Sequence, residues 1–124
     1  MAISPELRQR VREVAGVLQK ELYGDSGSPE FETRFTKIED DTTEIGDAIA
    51  CELLSGVMQA HADHAAGRLG TACECSVCGR NAARDDIQPR VVQARRGEAT
   101  WREPRYFCKF CRKAFFPAVE SFGR

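Results

Sequence analysis

The sequence predicts an α+β chain: amino-terminal helices, one of them long, followed by a small β-hairpin domain drawn together by four cysteines. Three observations predict it. Apolar residues recur at helical spacing through much of residues 1–66. Two Cys-x-x-Cys pairs, Cys75-Ser-Val-Cys78 and Cys108-Lys-Phe-Cys111, flank 29 residues with strand character. The charge also changes sign: residues 1–66 hold 6 Lys and Arg against 13 Asp and Glu, whereas residues 67–124 hold 12 against 6. A net charge of -1 therefore conceals halves of -7 and +6, and the chain reads as two modules, helical and acidic over 1–70, basic over 71–124.

The first helix opens at Ser4-Pro5-Glu6: a serine that can cap, a proline suited to the first helical position, and an acid that complements the helix dipole. Leu7, Val11, Val14, Leu18 and Leu22 form one apolar stripe to be buried, ending at Gly24. After the break Gly24-Asp-Ser-Gly-Ser-Pro29, Thr36-Lys-Ile-Glu39 has the form of a capping box, with Ser28-Pro29 as an alternative place for a helical turn to begin. A helix is expected from there to about Ala66, with Ile38, Ile45, Ile49, Leu53, Val57 and Ala60 near one side and Gly67 and Gly70 ending it as a hinge. At about 45 Å for 30 residues it is too long for one small core to cover, so self-association or a helical partner through residues 36–66 is expected.

Cys75, Cys78, Cys108 and Cys111 are read as one closed tetrahedral site, because a two-residue gap lets both sulfurs of a pair face one ion. Gly79 follows the first pair, where positive φ is often needed; Arg112 stands there in the second, which is expected to be built differently. Between the pairs, Ile87–Ala94 and Ala99–Phe107 read as strands joined by the turn Arg95-Arg96-Gly97-Glu98. Pro104 implies an edge position or a bulge in the second strand. The expected architecture is a zinc ribbon holding one Zn(II) per chain.

Other candidates weigh less. His61 and His64 stand three apart on the long helix, but the cysteines already close a site and the histidines read as solvated. Cys51 reads as a small buried apolar residue, and Cys73 as a spectator because Cys73-x-Cys75 would be a strained bite. Arg95, Arg96, Arg102, Arg105, Lys109, Arg112 and Lys113 are candidates for phosphate contacts, interleaved with Trp101, Tyr106, Phe107 and Phe110. Trp101 and Phe107 fall on one strand face and are assigned to packing, with Tyr106 left open between packing and base stacking. The plainer role for these cations is to offset the negative charge of a four-thiolate zinc site. No apolar run approaches the length of a membrane span, and Met1-Ala-Ile-Ser-Pro-Glu-Leu-Arg lacks a secretory hydrophobic region. A cytoplasmic location follows as the expectation, where six cysteines point to metal or redox chemistry more than to disulfides.

Trp101-Arg-Glu-Pro-Arg-Tyr-Phe-Cys-Lys-Phe-Cys-Arg-Lys-Ala-Phe-Phe-Pro117, with Cys75-Ser-Val-Cys78-Gly79-Arg80 and the Arg95-Arg96-Gly97 turn, resembles the amino-terminal zinc-ribbon region of bacterial DDE-type insertion-sequence transposases. There a long helical segment precedes Cys-x-x-Cys-Gly, a hairpin with an Arg-Gly turn, and a second Cys-x-x-Cys leading into an aromatic-Pro sequence. The resemblance covers about residues 31–119, with its specificity between 75 and 117. It implies DNA binding at transposon ends and oligomer assembly through the helices; residue by residue it supports only the four cysteines, as metal ligands. Such transposases continue into a ribonuclease-H-like domain whose carboxylates hold two metal ions. No acidic residue here matches that triad and the chain ends at Arg124, so no transposase activity is expected of it. A truncated reading frame, a separately encoded DNA-binding part and a domesticated regulator all remain open.

The expected function is thus non-catalytic DNA binding, with no small-molecule substrate and no membrane. Two alternatives stand beside it: a protein-interaction adaptor, and an iron-bound redox protein of the rubredoxin sort, which uses the same cysteine pairing.

Overall fold

A computed structural model describes residues 1–117; the end of the basic module and of the resemblance, from 118 onward, lies outside the described residues. It forms two compact units, Met1–Thr43 and Glu44 onward, the division falling within the second helix.

In the first unit, helix α1 runs Pro5–Tyr23. Ser4 is extended and its hydroxyl accepts the Leu7 N–H at 3.1 Å, satisfying one of the donors a helix start leaves open. Gly24 ends the helix at φ +82°, its N–H donating to the Lys20 carbonyl. The ends are those the sequence predicts; the packing is not. No residue of α1 is buried: of the stripe expected to bury one face, Leu7, Val11 and Val14 stand exposed and Leu18 and Leu22 are only half-buried.

Helix α2 runs Phe35–Leu69, 35 residues and about 52 Å. It begins one residue before the expected capping box: Lys37 and Ile38 donate to the Arg34 carbonyl, which leaves Thr36 inside the first turn and unable to cap. A tight turn at Glu30–Thr33, with Glu32 at φ +71°, delivers the chain into the helix at that point. At the other end Gly67 is helical, and Gly70 alone, at φ +71°, breaks the helix. No helix among the described residues is long and apolar enough to cross a membrane.

In the second unit, β1 (Ala72–Glu74), β2 (Asn81–Ala94), β3 (Gly97–Cys108) and β4 (Lys113–Phe115) form an antiparallel sheet in the order β1-β2-β3-β4. The β2–β3 hairpin is the predicted one, extended at both ends and closed by Arg95-Arg96, with Ala94 opposite Gly97. Gly97 sits at φ +139°, and a Cβ there would meet Cys51 Sγ at 2.9 Å, so both conformation and space call for glycine. Pro104 pairs with Ile87 on a stretch that β4 does not reach, so its missing N–H falls on the side of β3 without a ladder partner, although the residue itself is buried. The bulge is on the partner strand, between Arg84 and Asp86.

Across Pro104 the inward set of β3 changes from Ala99, Trp101 and Glu103 to Tyr106 and Cys108. A bulge adds local twist, and simple alternation fails across it. Trp101 packs as expected, but Phe107 is 38% exposed while Tyr106 is fully buried, stacked on Phe115 at 6.0 Å. The assignment of Phe107 to the core is thereby corrected.

Within this unit α2 lies against the hairpin through small and polar residues. Ala62 packs on Ala99 and Trp101, with Met58, Ala65 and Val92 around them. Ser55 Oγ accepts the Thr100 N–H at 3.0 Å; Gln59 accepts the Arg102 N–H at 2.8 Å and donates to the Arg102 carbonyl at 2.9 Å. Helix side chains thus satisfy strand groups that lack a ladder partner. The face expected to pack is not the one used: Ile49, Leu53 and Val57 are 42%, 67% and 56% exposed. Small residues let the helix approach the hairpin closely, which the larger aliphatics would prevent.

Candidate metal centre

The two Cys-x-x-Cys turns meet at the open end of the hairpin. Cys75 follows β1, Cys78 precedes β2, Cys108 ends β3, and Cys111 lies in the turn to β4. Each turn closes on itself: Gly79 N–H donates to the Cys75 carbonyl at 2.9 Å, and Arg112 N–H to the Cys108 carbonyl at 2.7 Å. Gly79 sits at φ +75° and Arg112 at φ +56°, so the second turn has the same build as the first rather than a different one. The left-handed region costs a non-glycine residue about 1–2 kcal/mol, here offset by bringing Cys111 into place.

All four sulfurs lie within 4.8 Å of one another. Cys75 and Cys111 are 4.0 Å apart, Cys78 and Cys108 3.6 Å. An ion with sulfurs at about 2.3 Å in a tetrahedron has sulfur–sulfur edges of about 3.8 Å, so the donor set and its spacing fit a four-thiolate metal ion. The electrostatics agree. Backbone N–H groups of Cys78 and Val77 directed at its sulfur bring the Cys75 thiol down to about 7. Cys111 is pushed up to about 12 by its contact with Cys78, by burial and by the other thiols. Four thiolates so close repel one another unless a cation shares their charge.

The cluster is anchored to the end of α2. Tyr106, two residues before Cys108, donates its hydroxyl to the Gly70 carbonyl; the Arg84 guanidinium donates to the carbonyls of Gly70 at 2.6 Å and Ala66 at 3.1 Å. A cation on the last carbonyls of a helix is favoured by the helix dipole. Neither role is legible in the sequence: pattern alone does not choose between packing and base stacking for Tyr106, and nothing in the spacing marks Arg84. Glu103 is also buried, 3.1 Å from Arg90 and facing the Trp101 indole N–H. Burial raises its carboxyl above the ordinary range despite Arg90.

The seven candidate phosphate-binding residues divide between the ends of the ribbon. Arg95 and Arg96 are at the tip; Lys109, Arg112 and Lys113 are beside the cysteines, with Lys109 about 43 Å from Arg96 along thirteen residues of strand. All five are exposed, although Arg96 is 3.7 Å from Asp47. Between them, Arg105 is held bidentate by Asp85 at 2.7 and 2.9 Å, and Arg102 donates to the Ile87 carbonyl. Arg80, which the candidate set omits, lies over Phe110 at 4.4 Å, next to the second turn.

Cys73 pairs with Ala82 on β1 and packs beside the cluster without joining the four sulfurs. Cys51 is half-buried against the hairpin tip. His61 and His64 belong to no metal-ligating group among the described residues. Comparison with known proteins finds no matching family model, no matching curated protein and no matching solved structure.

Proposed function

We propose that this chain is a zinc ribbon that binds DNA without catalysing a reaction on it, as the amino-terminal region of an insertion-sequence transposase does. The observation that carries this reading is the convergence of four thiols, at tetrahedral spacing, at the base of a hairpin with exposed cations at both ends. One Zn(II) per chain fixes the two turns, and Cys75, Cys78, Cys108 and Cys111 hold it. Arg95 and Arg96 at the tip, and Lys109, Arg112 and Lys113 at the base, supply contacts to phosphates. Arg102 and Arg105, already engaged within the sheet, contribute less.

The test is a titration of labelled duplex DNA over a range of salt, on protein whose metal content has been measured. One zinc per chain and an affinity that falls steeply with salt are expected. Arg95→Ala with Arg96→Ala should weaken binding and reduce the salt slope by about 2. Salt-independent binding, or an unchanged slope in the double variant, would sink the DNA reading. A red chromophore with iron in place of zinc would favour electron transfer instead.

A protein partner is the second reading, favoured by the exposed Ile49, Leu53 and Val57 on α2. The partner is a second copy, so Leu53→Lys should shift the mass measured by light scattering from a multiple of 13.8 kDa towards the single chain. A wild-type protein already monomeric at high concentration would remove the self-association part.

A further inference from the structure

Between α2 and the inner face of the hairpin, near the tip, lies a groove with a cavity volume of about 650 Å³, within the range of small-molecule sites. Its floor is apolar: Leu54 and Met58 from the helix, Val92 and Trp101 from the strands. The space exists because the facing positions are small, with Ala50 and Cys51 opposite Ala94 and Ala99. Its polar lining is Gln93 and three guanidiniums: Arg90 is paired with Glu103 inside the unit, and Arg95 and Arg96 are exposed at the tip, Arg96 at 3.7 Å from Asp47, a contact a ligand carboxylate would displace.

We propose that this groove binds a small amphipathic carboxylate, its apolar body along Leu54, Met58 and Trp101 and its head group against Arg95 and Arg96. The chemistry disfavours other occupants: a base or sugar lying on the floor would set its polar edges against Leu54, Met58 and Val92. An extended peptide would need main-chain partners, and on the adjacent edge of β3 the Thr100 and Arg102 N–H groups are occupied by Ser55 and Gln59. An acyl or aryl acid needs only an apolar trough and a cation at its mouth. A guanidinium, with its fork of donors, can receive both carboxylate oxygens. The proposal stands apart from DNA binding and survives its failure, because only Arg95 and Arg96 are shared.

Trp101 is the single tryptophan of the chain and lines the groove, so its fluorescence reports occupancy directly. Titration of the full chain with decanoate is expected to give a saturable change. Arg95→Ala with Arg96→Ala should weaken decanoate at least tenfold while changing decanol little. Ala50→Phe, which fills the trough, should abolish both. The wild-type protein supplies a check that no variant can confound: amide shifts on adding decanoate should centre on Met58, Val92 and Trp101. Absence of saturation, a response that survives Ala50→Phe in a folded variant, equal affinity for acid and alcohol, or shifts centred on the α1 stripe would each overturn the assignment.

Discussion

Arg112 sits in the left-handed region that Gly79 occupies in the companion turn, and the two positions offer opposite experiments. Arg112→Gly should raise the stability of the metal-loaded protein by about 1 kcal/mol, and Gly79→Ala should lower it by a similar amount, read from denaturant midpoints. Identical midpoints would mean that the metal, not the backbone, sets the shape of both turns. Glu103 gives a pH experiment. Its carboxyl is raised from 4.5 by burial, so the native state holds the proton more tightly than the unfolded chain. Its contribution to stability is then full below about pH 4.5 and is lost as pH rises through the folded value. The midpoint of wild type minus that of Glu103→Gln should fall from pH 4.5 upward, and any acid sensitivity of the cysteine cluster cancels in the difference. A difference independent of pH would show that Arg90 keeps Glu103 ionised throughout.

At the scale of the element, the hairpin and the cap of α1 were legible because each rests on local chemistry: a capping serine, β-branched centres, a glycine at the turn. The docking face of α2 was not. Hydrophobic spacing selects Ile49, Leu53 and Val57, whereas the helix is held by Ala62, Ser55 and Gln59, whose value depends on a strand 43 residues away. The flanking strands β1 and β4, three residues each, were missed for the same reason, since they exist only by pairing with the ends of the hairpin. Gln59→Ala should therefore cost more than an ordinary surface change: it removes both hydrogen bonds to Arg102 and one to Asp63, and leaves the Arg102 N–H without its acceptor. A loss of about 1–3 kcal/mol is expected, with faster amide exchange at Arg102. A loss below about 0.5 kcal/mol would show that water replaces the amide freely.

For the whole molecule, the two units should respond differently to loss of metal. The sequence alone expects a chelator to unfold residues 75–117 and leave most helicity intact. Yet Tyr106 and Arg84 hold the last carbonyls of α2, and Tyr106 lies two residues from Cys108. If the proposed zinc contributes the 10–16 kcal/mol typical of small zinc modules, its removal should take the carboxyl-terminal part of α2 with the sheet. Chelation should then lower helical ellipticity in step with the near-ultraviolet signal of Trp101, with the α1 contribution persisting. Full retention of ellipticity would mean that the clamp transmits nothing.

The contacts of Ser55 and Gln59 with Thr100 and Arg102 also constrain how this architecture can change in length. Four residues of helix advance about 6.0 Å and two residues of strand about 6.7 Å, so the two scales run together like a vernier, slipping by about 0.7 Å at each graduation. A ribbon lengthened by one residue per strand would turn its donors away from the helix altogether. Growth must come as two residues in each strand matched by four in the helix, and after a few such increments the accumulated slip ends the match.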